Sequence, residues 1–328
     1  MYKTISIPLC GAALADYCDW DDLRQELSHL RCDGVEAIWA GEPFPCGVPS
    51  ELVIGYHLTF YPDWLDFYRE DGTRLTEKFG SLDAAARFYG GLGREVLLEY
   101  YRADLQRAES LGARYVVFHV SDVSVEEGYT YRWLHTNREV IDASADIINQ
   151  LLDGRDWPFE FLLENQWWPG FTFTDPDDTA RLLDAVHFEK KGIMLDIGHL
   201  MNTRASLATQ AEGAAYVHAM LDRHGNLARA VRGVHLHRSL SGAHVNAHTG
   251  KLPPDLPRDY LRRFGENYAH VLQIDRHEPW DVPCIASVIE RIAPRYLTHE
   301  LSASGRGRRA ELVARQTEAL CGRLTFRA

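Results

Sequence analysis

The sequence predicts an α/β chain folded as a single (β/α)8 barrel over residues 1–328, and three observations carry that prediction. Short β-rich runs alternate with longer helical patterns, which implies a parallel sheet with helical crossovers. Eight such runs occur, the number that closes a barrel in a chain of this size. No Gly-x-Gly-x-x-Gly turn follows the first run, which weakens the alternative of a doubly wound open sheet.

The strands are expected at 4–10, 34–39, 52–58, 115–120, 159–164, 192–196, 231–236 and 296–300. Most are rich in β-branched or aromatic side chains, which suit a pleated, half-buried surface. Helical patterns fill 20–30, 82–111, 132–152, 177–186, 205–223 and 283–292. Only the stretch between the second and third strands lacks room for a long helix. Two excursions are long: 59–80, with Tyr61, Trp64, Phe67 and Tyr68, and 238–280, with a helix expected at 256–264. In a barrel both lie over the C-terminal mouth, where active sites form. No linker, tandem repeat or low-complexity segment interrupts the chain.

Composition bounds the function. Hydrophobic residues make up 45% and charged residues 25%, as in ordinary globular proteins, which excludes a disordered or fibrous chain. The formal net charge of −12 repels phosphate backbones at long range and disfavours a nonspecific nucleic-acid binder. No run of 18 apolar residues occurs, so no transmembrane helix is expected. Residues 3–15 faintly resemble a signal peptide. The run is short, interrupted by Pro8 and preceded by one lysine, so it reads as a buried strand entering a Gly-Ala turn. Cysteines at 10, 18, 32, 46, 284 and 321 form no Cys-x-x-Cys pair and are read as free thiols in a reducing cytoplasm.

The chemistry gathers at strand ends. His57, His119, Glu164, Asp196, His235 and Glu300 close strands three to eight, with His199 three residues after Asp196. Asp275 and His277 stand in Asp-Arg-His inside the second excursion. Parallel strands present these ends to one mouth. Without a cation the carboxylates would repel and the imidazoles would be desolvated at a cost; a divalent metal resolves both. Mixed His, Asp and Glu donors suit Zn, Mn, Fe or Co. Two more histidines lie nearby but are not expected as donors. His299 alternates with Glu300 and should face the helix layer; His237 shares parity with His235 but is taken to lie beyond the strand. Trp167 and Trp168, after Glu164-Asn165, could stack on a sugar ring or anchor the loop. Arg306, Arg308, Arg309 and Arg315 read as a solvated helix face. A Gly-x-Ser-x-Gly elbow, a phosphate loop and a Cys/His hydrolase pattern are absent.

Leu-Leu-Glu164-Asn165, Leu-Asp196-Ile-Gly-His199, Gly-Val-His235-Leu and Asp275-Arg-His277 together resemble the xylose isomerase-like TIM-barrel superfamily. That superfamily holds sugar isomerases and epimerases beside apurinic/apyrimidinic endonucleases of the endonuclease IV type. The endonuclease branch implies three metals: one on His57, His119 and Glu164; one on Glu164, Asp196, His235 and Glu300; one on His199, Asp275 and His277. The isomerase branch implies one metal on Glu164, Asp196, His235 and Glu300, the two glutamates also serving as acid and base. One to three cations per chain are therefore expected. The loop 40–49 carries no lysine or arginine, His119 is followed by Val-Ser, and Glu164-Asn165 by Gln-Trp-Trp-Pro. These departures argue against DNA as substrate.

The favoured expectation is a cytoplasmic metal-dependent sugar or sugar-phosphate isomerase or epimerase. Glu164 and Glu300 would move the proton, His199 would orient a substrate oxygen, and Asn165, Trp167 and Trp168 would contact a small polar substrate. The alternative is a multinuclear phosphoesterase. A barrel that binds metal without turnover would leave the paired glutamates unexplained. No membrane partner is expected, and an oligomer is compatible with the sequence.

Overall fold

The computed structural model describes residues 1–321. The last seven residues of the expected barrel span, 322–328, lie outside the described residues. Eight parallel strands follow one another around a closed barrel: β1 (Tyr2–Pro8), β2 (Gly34–Ile38), β3 (Val53–His57), β4 (Tyr115–His119), β5 (Glu160–Glu164), β6 (Lys191–Asp196), β7 (Val231–Leu236) and β8 (Tyr296–His299). β8 pairs back onto β1, and helices occupy the crossovers. This is the (β/α)8 architecture that the alternation of runs predicts.

Two hydrophobic layers hold the fold. Ile54, Tyr115, Val117, Leu162, Met194 and Tyr296 fill the barrel interior. A larger layer joins the outer strand faces to the helices, for example Ile5, Val116, Phe161 and Leu195 against Leu105, Ile148 and Ile289. Above the inner layer the interior turns polar. Tyr115 and Thr298 donate to Glu36 Oε2 at 2.7 and 3.1 Å, and Thr4 lies beside Thr298. Register then levels the strand ends. His119 stands opposite Glu164, and Asp196 opposite His235.

Helix boundaries differ from expectation where local chemistry intervenes. The pattern over 82–111 is two helices, Leu82–Tyr89 and Glu95–Ser110. Gly90 caps the first in the left-handed region at φ 85°, and Gly93 turns back at φ 90°, a conformation glycine adopts without Cβ strain. The helix expected from 132 starts at Asn137, where Thr136 and Glu139 form a capping box. The one expected from 205 starts at Gln210 behind the same device, Thr209 with Glu212. The helix expected at 256–264 is instead Tyr260–Ile274, capped by Asp259.

The C-terminal helix Arg306–Cys321 corrects the reading of its arginines. Arg308 and Arg315 do make surface pairs, with Glu311 and Asp281. Arg306 instead binds Asp22 and the buried Glu26 at 2.8 and 3.0 Å, and both Arg306 and Arg309 lie over the Tyr17 ring. Their guanidinium groups glue this helix to the helix Trp20–Leu30. No disulfide joins the six cysteines. Among the described residues no helix is long and apolar enough to cross a membrane.

Candidate metal centre

The nine donors expected from the sequence converge at the C-terminal end of the barrel. They fall into overlapping groups whose donor atoms lie within 4.8 Å of one another: His57, His119 and Glu164; Glu164, Asp196 and His235; and His199, Asp275 and His277 together with His237. Glu300 falls in a group with Asp196 and His237. Its Oε2 is also 3.0 Å from His235 Nδ1.

The first group is a tripod. His57 Nε2 and His119 Nε2 each lie 3.2 Å from Glu164 Oε2 and 3.1 Å from one another. His57 Nδ1–H donates to the Leu58 carbonyl at 2.9 Å, which leaves the Nε2 lone pair facing the other two donors. These separations match the edge of a tetrahedron built on bonds of 2.0–2.1 Å, about 3.3 Å. Phe60 stacks on the His119 ring at 4.5 Å and covers this side.

The second group stands on Glu36. His235 Nε2–H donates to Glu36 Oε2 at 3.0 Å, so Nδ1 carries the lone pair. That nitrogen faces Glu300 Oε2 at 3.0 Å, Glu164 Oε1 at 3.5 Å and Asp196 Oδ2 at 3.7 Å. A lone pair aimed at three carboxylate oxygens is repulsive unless a proton or a cation lies between them. The third group lies under the second excursion. His199 Nδ1–H donates to the Asn165 carbonyl at 3.0 Å, and its Nε2 is 3.1 Å from Asp275 Oδ2. His277 Nε2 is 2.6 Å from the same oxygen, and Ser239 donates to Asp275 Oδ1 at 3.1 Å.

The electrostatics describe a site short of positive charge. Burial pushes the imidazoles toward neutrality, yet the facing carboxylates pull them back. His57 is held up at about 8, chiefly by Glu164, and His277 at about 9, chiefly by Asp275. His199 and His235 are raised well above the usual histidine range against the same burial. His119 goes the other way, lowered by burial despite Glu164 and with His57 beside it. Burial opposes ionisation of Glu164, Asp275 and Glu300, but the histidines keep all three below the carboxylate range. Protons thus stand where cations would.

The donors fit divalent metal ions on a second observation. With the imidazoles neutral, Glu164 Oε1, His235 Nδ1, His237 Nδ1 and Glu300 Oε2 are buried without a hydrogen-bond partner among the described residues. Each such atom costs about 1–3 kcal/mol if nothing occupies its lone pair. All four point into this cluster. Together they suit a coordination site.

Other residues are placed differently from expectation. Asn165 does not face the mouth: its amide bonds the backbone N–H and carbonyl of Asp196 at 2.8 and 3.0 Å, locking β5 to β6. Trp167 and Trp168 are buried, 4.2 Å apart, and pack with Val123, Val245 and Ile274. Trp167 also walls the His199 ring at 5.1 Å. His299 faces the helix layer, as alternation requires, and meets Gln316 at 2.9 Å. His237 does not lie beyond the site: it is fully buried, with Nε2 2.9 Å from Asp196 Oδ2. Its parity with His235 was the available signal. Glu36 was also unread; an acid in the middle of an otherwise apolar strand was the available sign.

Comparison with known proteins places this geometry. A family model described as xylose isomerase-like TIM barrel matches residues 25–282. Among solved structures, endonuclease IV from Thermus thermophilus superposes with a TM-score of 0.51 at 15% identity, covering 98% of this chain and 99% of that one. An L-ribulose 3-epimerase superposes with a TM-score of 0.50 at 12% identity, covering 100% of this chain and 89% of that one. At these identities the likeness is one of fold. A sequence search of curated proteins gives no match.

Proposed function

The chain belongs to the xylose isomerase-like TIM-barrel family, and from that premise we propose that it is a multinuclear metal-dependent hydrolase of small phosphoesters. The reading rests on the tripod of His57, His119 and Glu164, with mutual distances of 3.1–3.2 Å. Isomerisation at a single metal needs neither of those histidines, whereas a second cation sharing Glu164 needs all three residues. The donor count therefore shifts the balance from the isomerase that composition favours to the hydrolase.

The first cation would be held by His57, His119 and Glu164, the second by Glu164, Asp196, His235 and Glu300, and the third by His199, Asp275 and His277. When bound, a pair of divalent cations supplies a nucleophilic water at neutral pH and neutralises charge on the attacking and leaving oxygens. The residues do the rest. Glu164 holds two sites in one frame. Glu36 fixes the His235 tautomer, and Asn165 fixes the backbone of Asp196. Glu300, with a side chain 15% exposed, is the most open carboxylate of this pair of sites and in this reading would orient the attacking water. The acidic chain and a 40–49 loop without lysine or arginine favour a small phosphoester over DNA.

A sugar isomerase or epimerase is the second reading, favoured by Glu300 and Glu164 flanking one donor, His235 Nδ1, at 3.0 and 3.5 Å. Metal quantification and a substrate panel on one sample separate the two. Three metals per chain with phosphate release from small esters is the expected result. One metal per chain, with solvent deuterium entering a ketose and no phosphate released, would overturn it.

A further inference from the structure

We propose that His237 is the fourth protein donor of the third site, and that this closes the site into a structural one which locks the second excursion over the mouth. The inference rests on the multinuclear reading above. It begins with a ring held in one orientation. His237 Nε2–H donates to Asp196 Oδ2 at 2.9 Å, so Nδ1 carries the lone pair. A carboxylate bonded to the far nitrogen of an imidazole is the arrangement that orients metal-bound histidines. Nδ1 has no hydrogen-bond partner among the described residues, and the residue has no exposed surface. It faces Asp275 Oδ1 at 3.9 Å, and its donor atom falls within 4.8 Å of those of His199, Asp275 and His277.

Two further features belong to this arrangement. Gly198 lies against the His237 ring, and a Cβ there would come within 2.0 Å of its Cε1 and 2.3 Å of Nδ1. Glycine in the Asp-Ile-Gly-His turn is therefore the space that the ring requires. His277 is also held at φ 47°, in the left-handed region, with its ring stacked 4.1 Å from that of His237. A non-glycine residue at such a φ costs about 1 kcal/mol or more and persists where the surroundings over-determine it.

Four protein donors leave a tetrahedral zinc no open position, whereas catalytic sites keep one for water or substrate. The third cation would thus take no substrate oxygen. It would tie Asp275 and His277, which follow the helix Tyr260–Ile274, to the ends of β6 and β7. Chemistry would be left to the pair that shares Glu164.

The test is zinc and cobalt binding by the whole chain. His237→Ala should weaken one of three zinc equivalents about tenfold or more. That equivalent should be the one His277→Ala weakens, and the double variant should lose no further equivalent. Gly198→Ala, which removes no donor, should weaken the same one. In the unaltered chain, the cobalt signal that His277→Ala removes should be the intense absorption of a four-coordinate ion, unmoved by phosphate. Hydrogen exchange across 260–274 should rise when that equivalent is lost. Three equivalents with His237→Ala indistinguishable from the unaltered chain would overturn the inference alone, as would loss of the equivalent that His235→Ala removes. If the variants do not fold, three bound cobalt equivalents of which none gives a four-coordinate band insensitive to phosphate overturn it equally. Fewer than three equivalents on the unaltered chain would overturn the multinuclear reading with it.

Discussion

Glu36 shows how much of the site depends on a residue that touches none of the space between the donors. Its Oε2 accepts from Tyr115, Thr298 and His235 at once, so the floor of the donor cluster is tied to the barrel core through one oxygen. Glu36→Gln keeps the volume and an acceptor for the two hydroxyls but removes the charge that strengthens His235 as a donor. Zinc affinity of the second site should fall about 10–100-fold, as for other carboxylates behind a metal-bound histidine. Equilibrium zinc titration reads this, and an unchanged affinity would detach Glu36 from the site. The same residue explains what the sequence could and could not tell. The end of each strand from β3 to β8 can be located in a sequence, and so His57, His119, Glu164, Asp196, His235 and Glu300 were legible. Glu36 meets His235 only because the barrel closes, across 199 positions of chain. β7 does end at Leu236, as its pattern predicts; His237 was lost because its side chain keeps the inward direction of the period of two one residue past the strand.

At the scale of elements, the excursion 59–80 is held over the mouth by a buried ion cluster. Lys78, in the helix Gly72–Phe79, bonds Asp63 and Asp66 at 2.6 and 2.7 Å, and Tyr260 reaches Asp63 at 2.8 Å from the helix Tyr260–Ile274. The two excursions therefore meet at one carboxylate. The cluster is already rich in acid: burial, then Asp63, push Asp122 up to about 7. Lys78→Met fills the space but leaves the buried Asp63 without its cation and Asp66 with His135 alone, at 3.2 Å, a change that costs about 3–5 kcal/mol. Chemical denaturation should show that loss in the unfolding midpoint; a change below about 1 kcal/mol, the worth of a surface pair, would mean that solvent screens the cluster. None of this was visible in the sequence, because Lys78 reads as one more charge on an amphipathic helix. Elements set by local chemistry were better served. The helix Trp20–Leu30 falls where its pattern places it, between the Asp19 cap and the left-handed Arg31. The helices that began late did so at capping boxes, Thr136 with Glu139 and Thr209 with Glu212, whose spacing is written in the sequence.

For the whole molecule, the barrel was legible because period and alternation are properties of the chain, while the charge state of the donor cluster is a property of the closed fold. That charge state couples stability to pH. In the metal-free protein His57 is raised to about 8 and His277 to about 9, above an unfolded value of about 6.5. A histidine with a raised folded pKa binds protons more tightly in the native state. Its stabilisation is complete below the unfolded value and is lost as pH rises through the folded one. The metal-free protein should therefore lose stability between about pH 6.5 and 9, where the unfolded histidines have given up their protons and the native ones are giving up theirs. Divalent cations reverse the sign of this dependence. They need the same nitrogens deprotonated, so binding at neutral pH releases protons and tightens as pH rises. Thermal melts of chelated and zinc-loaded protein should then diverge with pH, the first curve falling across that window and the second level or rising. Calorimetric zinc titrations in buffers of different ionisation enthalpy should show proton release at pH 7 that declines as pH rises toward 9. Parallel melting curves with no released protons would mean that these histidines do not receive the metal, and the proposed coordination would fall with them.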